Sequence, residues 1–206
     1  MYTLRRIERF LYLSLARMAL QFGLAERYFL RPLSKLPSEA SLKVLFLCKG
    51  NICRSCYAEA SFRALLDACK MSEINVASAG LDTVAGKPAD SRAMHIANLR
   101  GIDLSNHQTL PVTAELLKLA DLVLIMEPKQ RAQVAALDEN AVDKVMYLGA
   151  LNIASGMSPV IPDPYGKSEA CFKQVFSEID QAVAELLRML NAREGITAPE
   201  TSSAAP

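Results

Sequence analysis

The sequence predicts an α/β protein built on a four-stranded parallel sheet with helices on both faces, preceded by an N-terminal helical extension. Three observations predict it. Four short apolar runs, at residues 43–48, 74–78, 122–126 and 144–148, alternate with segments of helical period, and that alternation packs as a parallel sheet with right-handed crossovers. The strongest runs are continuously apolar, as strands buried on both faces require. The chain has 206 residues, 51% of them hydrophobic, enough for one sizeable core with chain to spare.

Residues 1–40 stand apart. They carry seven Arg/Lys against three Glu, a balance of +4 that leaves −3 for the rest. Leu4, Ile7, Leu11, Leu15, Met18 and Phe22 recur at three- and four-residue steps, one stripe of a helix with Arg5, Arg6 and Arg9 beside it. Arg31-Pro32 and Leu36-Pro37-Ser38 read as a connector. The domains expected are therefore this extension over 1–40, a folded body over 41–193, and a tail over 194–206 with little to bury and expected to be disordered.

In the body, the first strand ends at Cys48 and is broken by Gly50-Asn51. A helix is expected over 55–69, where Ala58, Phe62, Leu65, Leu66 and Cys69 keep a rough helical period. After the second strand, Pro88 is expected to open a helix towards Leu99 that Gly101 ends. Thr113 caps a short helix with Leu116 and Leu117. The third strand, 122–126, is the strongest strand signal, followed by a helix over 129–137 and the fourth strand. Residues 149–167, rich in Gly, Ser and Pro, read as a loop, and 168–190 as a long closing helix.

Composition narrows the function. Charged residues make up 22% and the net charge is +1, so no global basic excess points to nucleic acid. The five cysteines are an odd number, which argues against a disulfide framework and for a reducing compartment. Arg9, Arg17 and Glu26 interrupt the N-terminal apolar runs far short of the ~20 residues of a membrane span, and Arg17 disfavours a secretory signal. The expected location is the cytoplasm. The arginine-flanked stripe within residues 1–30 suits an anionic membrane surface; packing on the body or self-association suits it equally, while Glu8 and Glu26 weaken a mitochondrial targeting reading.

The chemistry concentrates in Cys48-Lys49-Gly50-Asn51-Ile52-Cys53-Arg54-Ser55. A thiol ends a buried strand at the carboxyl edge of the sheet, where such folds place their sites. Six residues on, an arginine opens a helix. Gly50 and Asn51 both tolerate the left-handed backbone a tight turn requires. Successive N–H groups in the curled loop form an anion nest, and the helix start adds positive potential. The Arg54 guanidinium can hold two phosphate oxygens in a planar fork. The same field favours a thiolate at Cys48, and Ser55 can donate a hydrogen bond to its sulfur.

These residues resemble the signature of the low-molecular-weight protein tyrosine phosphatases. The likeness spans about residues 42–190, including Leu45-Phe46-Leu47 before the loop, Ala58-Glu59-Ala60 after it, Ser78-Ala79-Gly80, Gly86-Lys87-Pro88-Ala89-Asp90, Gly101-Ile102-Asp103 and Asp163-Pro164-Tyr165. It implies a Rossmann-like phosphotyrosine phosphatase I fold, a phosphotyrosine-containing protein as substrate, and neither cofactor nor metal. It implies Cys48 as nucleophile, Arg54 as phosphate clamp and Asp163 as general acid, with Lys49, Gly50, Asn51, Ile52, Cys53 and Ser55 forming the phosphate loop. Two prolines fix the backbone around Asp163. Ser78 and His107 would brace the loop, and Tyr165 would wall the slot against an aryl ring. The resemblance further implies a reversible Cys48–Cys53 disulfide under oxidation; the alternative for Cys53 is a small residue filling the loop.

The sequence departs from the family in two places. Cys56 stands where proline is usual, and 81–85 lacks the usual aromatic residue. Ile52 matches tyrosine-directed members, where arginine-phosphate-directed relatives tend to carry threonine. The competing reading is a thiol-dependent arsenate reductase on the same fold, but no cysteine occurs between Cys69 and Cys171 to relay electrons. A zinc module on Cys48, Cys53 and Cys56 has unusual ligand spacing. A phosphotyrosine-binding protein without turnover is disfavoured by the presence of both Cys48 and Asp163.

Overall fold

The computed structural model describes residues 29–37 and 41–193; the apolar stripe expected over 4–22 and the tail expected from 194 lie outside them. Strands β1 (Leu42–Cys48), β2 (Ile74–Gly80), β3 (Leu122–Ile125) and β4 (Val145–Tyr147) form one sheet in the order β2-β1-β3-β4, with every neighbouring pair parallel. The α-helices of the described residues are α1 (Arg31–Ser34), α2 (Arg54–Cys69), α3 (Ser91–Asn98), α4 (Ala114–Leu119), α5 (Pro128–Leu137) and α6 (Glu169–Arg193).

The central strand β1 divides the core. Val44, Phe46 and Cys48 join the cluster built with α2, α3 and α6, including Phe62, Ile96, Phe172 and Phe176. Leu45 and Leu47 join the other, with Leu117 of α4 and Val134 of α5. Both faces of β1 are therefore covered, which accounts for its unbroken apolar run. The chain passes from β1 to β2 on one side and then crosses back to place β3 on the other side of β1, so the strand order switches at β1, and Cys48 ends that strand at the switch.

Helix starts follow the available caps. α3 does not begin at Pro88 as expected. Asp90 is its N-cap, and its carboxylate accepts the Arg92 and Ala93 N–H groups at 3.0 and 3.1 Å. A side chain that satisfies two otherwise unpaired donors fixes the start more firmly than a proline, which has no group to offer them. Gly101 closes the turn after α3 with a left-handed φ of 77°. Thr113 caps α4, its hydroxyl accepting the Leu116 N–H at 3.2 Å.

Two expected loops are partly helical. Leu148–Ser155 is a 3-10 stretch that buries Leu148, Leu151 and Ile153; these apolar residues supply the burial that the Gly/Ser/Pro content of 149–167 obscured. The expected connector contains α1, with proline in its first turn. Leu33 and Leu36 are buried in the core, and Arg193 donates to the Leu36 carbonyl at 2.7 Å.

Candidate active site

Past Cys48 the chain curls through residues 49–53 and enters α2. The turn depends on Asn51, which has φ 55° and is fully buried. Asparagine tolerates that backbone, and its side chain fastens the loop. Nδ2 donates to Ser55 Oγ at 2.9 Å and to Ser78 Oγ at 2.8 Å, while Oδ1 accepts the Leu110 N–H at 2.9 Å. Its carbonyl lies 2.7 Å from His107 Nε2. Its own N–H donates to Cys48 Sγ at 3.2 Å, and Ser55 Oγ lies 3.0 Å from the same sulfur. A sulfur placed against such donors is stabilised when it carries negative charge.

The loop is also tied from outside. Leu81 N–H donates to the Cys48 carbonyl, Asp82 N–H to Lys49, and Asp90 N–H to Ile52, at 3.0, 2.8 and 2.8 Å. These bonds bring Gly80 so close that a Cβ there would sit 3.1 Å from both the Gly50 carbonyl carbon and Asn51 Cβ.

Arg54, the first residue of α2, is buried, with 1% of its side chain exposed. A buried guanidinium is tolerated only when its charge and donors are matched. Its NH1 donates to the Ile161 carbonyl at 3.1 Å, both terminal nitrogens lie 3.3 Å from Glu127 Oε1, and NH2 lies 3.1 Å from Asp163 Oδ1. Nε has no partner among the described residues, which leaves one donor for a ligand.

Cys48, Lys49, Gly50, Ile52, Cys53, Arg54, Asp163 and Tyr165 line one cleft of about 170 Å³. Asn51, Ser55, Ser78 and His107 support its floor. The 81–85 segment contributes Asp82 to the wall, and Asp82 faces Lys49 at 3.7 Å. Two residues escaped the sequence reading: Asp82, and Glu127 at the start of α5. A carboxylate following β3 at the same carboxyl edge as Cys48 was a signal that could have found Glu127. Burial, then Asp90, pushes the Cys53 thiol up; burial above all, then Cys48 and Cys53, does the same to Cys56. Among the described residues, all five cysteines are free thiols and no group of three or more His, Cys, Asp or Glu is placed to hold a metal ion. Among them too, no helix is long and apolar enough to cross a membrane. Chemically, the cleft presents a sulfur beneath curled amides, a guanidinium and a carboxyl, a set suited to a tetrahedral oxyanion.

A family model described as low molecular weight phosphotyrosine protein phosphatase matches residues 43–195. The chain belongs to that family. It is 33% identical over 153 residues to the low molecular weight protein-tyrosine-phosphatase Wzb of Salmonella typhi, covering 74% of this chain and 97% of that protein. Wzb of Vibrio vulnificus, solved in complex with benzylphosphonate, superposes with a TM-score of 0.63 at 32% identity, covering 71% of this chain and 97% of that one. The arginine phosphatase YwlE superposes at 0.68 with 29% identity, covering 76% and 100%. The family fold is thus the four-stranded parallel α/β architecture described above, with Cys48 and Arg54 present where β1 ends and α2 begins.

Proposed function

We propose that this member of the family hydrolyses phosphotyrosine in proteins, and small aryl phosphates, through a phosphocysteine on Cys48. The observation that carries the reading is the meeting of three groups in one cleft. Cys48 Sγ is held by the Asn51 N–H, the Arg54 guanidinium lies in the same cleft wall, and Asp163 lies 3.1 Å from Arg54 NH2.

The phosphoryl group sits over the loop amides and takes two donors from Arg54, one of them the free Nε. A dianion there competes with Asp163 for the guanidinium, and the displaced carboxyl carries the proton to the leaving phenol oxygen. Cys48 attacks phosphorus as the ester bond breaks. Ser55, beside the sulfur, stabilises it as leaving group in the second step, when Asp163 takes a proton from water and inorganic phosphate departs. The amides and Arg54 stabilise the equatorial oxygens throughout.

Ile52 and Tyr165 in the cleft favour an aryl ester, consistent with the aromatic phosphonate bound by the Vibrio vulnificus relative. A free thiol nucleophile requires a reducing compartment, so the cytoplasm is part of the proposal. For the extension expected over residues 1–40, the proposed role of residues 1–30 is contact with an anionic membrane surface or self-association, with packing on the body as the alternative. Removing residues 1–28 keeps Leu33 and Leu36 in the core; unchanged liposome binding and unchanged mass in solution would eliminate both roles.

The decisive measurement is turnover of an aryl phosphate and of an arginine phosphate by wild type, Cys48→Ser and Asp163→Ala. The aryl ester is turned over by wild type, and Cys48→Ser abolishes it. Asp163→Ala causes a large loss that shrinks as the leaving group becomes a weaker base, because protonation then matters less. Full activity in Cys48→Ser, or preference for the arginine phosphate, refutes the reading.

A further inference from the structure

Cys53-Arg54-Ser55-Cys56 places two thiols three residues apart on the first turn of α2, with Cys53 as its N-cap. They open on different sides. Cys53 lines the cleft that holds Cys48, and Cys56 lines a separate groove between α2 and residues 101–107. The Cys56 sulfur is turned back towards the helix start, 3.2 Å from the Cys53 carbonyl. Cys53 lies outside the helix, at φ −132° and ψ −78°, so helical geometry does not fix its side-chain direction, and a rotation there can bring its Cβ to the roughly 4 Å from that of Cys56 that a disulfide needs.

We propose that Cys56 is a second resolving thiol, which takes an oxidising equivalent from the active site and stores it as a Cys53–Cys56 disulfide. The proposal rests on Cys48 being the reactive thiolate of the phosphatase reading. A peroxide oxidises the Cys48 thiolate to the sulfenic acid, releasing the reduced peroxide oxygen as water or alcohol. The Cys53 thiol condenses with it, forming Cys48–S–S–Cys53 and water. Cys56 then attacks the Cys53 sulfur: the Cys53–Cys56 bond forms, the Cys48–Cys53 bond breaks, and its electron pair leaves on Cys48. The proton from Cys56 goes to solvent. A dithiol reductant returns the pair to thiols.

Three features set this direction. The departing Cys48 sulfur is received by the Asn51 N–H and by Ser55, which makes it the better leaving group. Burial keeps Cys53 and Cys56 protonated at rest, so a peroxide enters at Cys48 first. Burial above all, and then negative charge on Cys48, opposes a thiolate at Cys56, and the first disulfide removes that charge.

Trypsin separates the three thiols, because Lys43, Lys49, Arg54 and Arg63 put Cys48 on peptide 44–49, Cys53 on 50–54 and Cys56 on 55–63. The full chain is treated with one equivalent of hydrogen peroxide, denatured in the presence of iodoacetamide so that every remaining thiol is alkylated, digested and mapped by mass spectrometry. The expected result is 50–54 joined to 55–63, with alkylated Cys48 recovered on 44–49. In Cys56→Ser and Cys56→Ala that species is lost, and 44–49 is joined to 50–54 instead. The proposal is overturned if wild type yields 44–49 joined to 50–54 with alkylated Cys56, or Cys48 as the sulfinic or sulfonic acid. Aryl phosphate turnover of the untreated samples tests the phosphatase reading separately, since the peptide pattern does not depend on turnover.

Discussion

Glu127 Oε1 lies 3.3 Å from both terminal nitrogens of Arg54. It reaches the Arg54 guanidinium from the start of α5, while Asp163 reaches NH2 from the loop before α6. The guanidinium is thereby held in one plane with Nε spare. Removing Glu127 leaves Arg54 with Asp163 and the Ile161 carbonyl only. Glu127→Ala is expected to destabilise the fold by about 2–3 kcal/mol and to lower kcat/KM by roughly 10–100-fold through misplacement of the Arg54 guanidinium. Urea unfolding and steady-state kinetics check the two effects, and Glu127→Gln should recover part of the stability.

Asn51 is expected to be the most sensitive support residue. Asn51→Ala loses three side-chain hydrogen bonds and leaves a β-carbon at φ 55°, a strain of about 1–2 kcal/mol. Asn51→Gly removes the strain but not the lost bonds. The glycine variant should therefore be the more stable by about 1 kcal/mol in chemical denaturation, with both variants losing most turnover.

Gly80→Ala tests the outer wall. Its Cβ would sit 2.7 Å from Thr83 Cγ2 and 3.1 Å from the Gly50 carbonyl carbon. Thr83→Ser relieves the first contact and not the second. The single variant should lose activity more than stability, because the strain falls on Gly50 and Asn51 of the loop beside Cys48, and adding Thr83→Ser should restore Tm further than kcat/KM.

Thiol labelling of the resting protein should follow environment. Burial pushes the Cys53 and Cys56 thiols up, so little thiolate is present at neutral pH and iodoacetamide should label them only after denaturation. Cys48, in the cleft, should be labelled first among these three, with loss of turnover in step, and inorganic phosphate should protect it.

The local part of this site was legible because its determinants are contiguous. A buried strand, two residues tolerant of a left-handed backbone and a helix start lie between Leu42 and Arg54, and hydrogen bonding along the chain confines their geometry. Thr113 was legible for the same reason. Pro88 misled because a proline marks the neighbourhood of a helix start, while the first residue is decided by whichever side chain reaches the free N–H groups, here Asp90. Glu127 was missed because its role depends on a partner 73 residues away. Ser78 and His107 came only through family resemblance, since nothing beside them in the chain points to Asn51.

The chain alone determined a parallel α/β body, a thiol at the end of its first strand and an arginine one turn beyond, since apolar continuity and backbone tolerance act between near neighbours. Tertiary structure decided what surrounds that arginine. Glu127, Ile161 and Asp163 reach Arg54 only because the order β2-β1-β3-β4 brings the end of β3 and the loop before α6 to the edge where β1 ends. It also decided that Cys53 and Cys56 face different hollows. Contacts between distant segments arise from packing whole layers against one another, and no short stretch of residues carries that information.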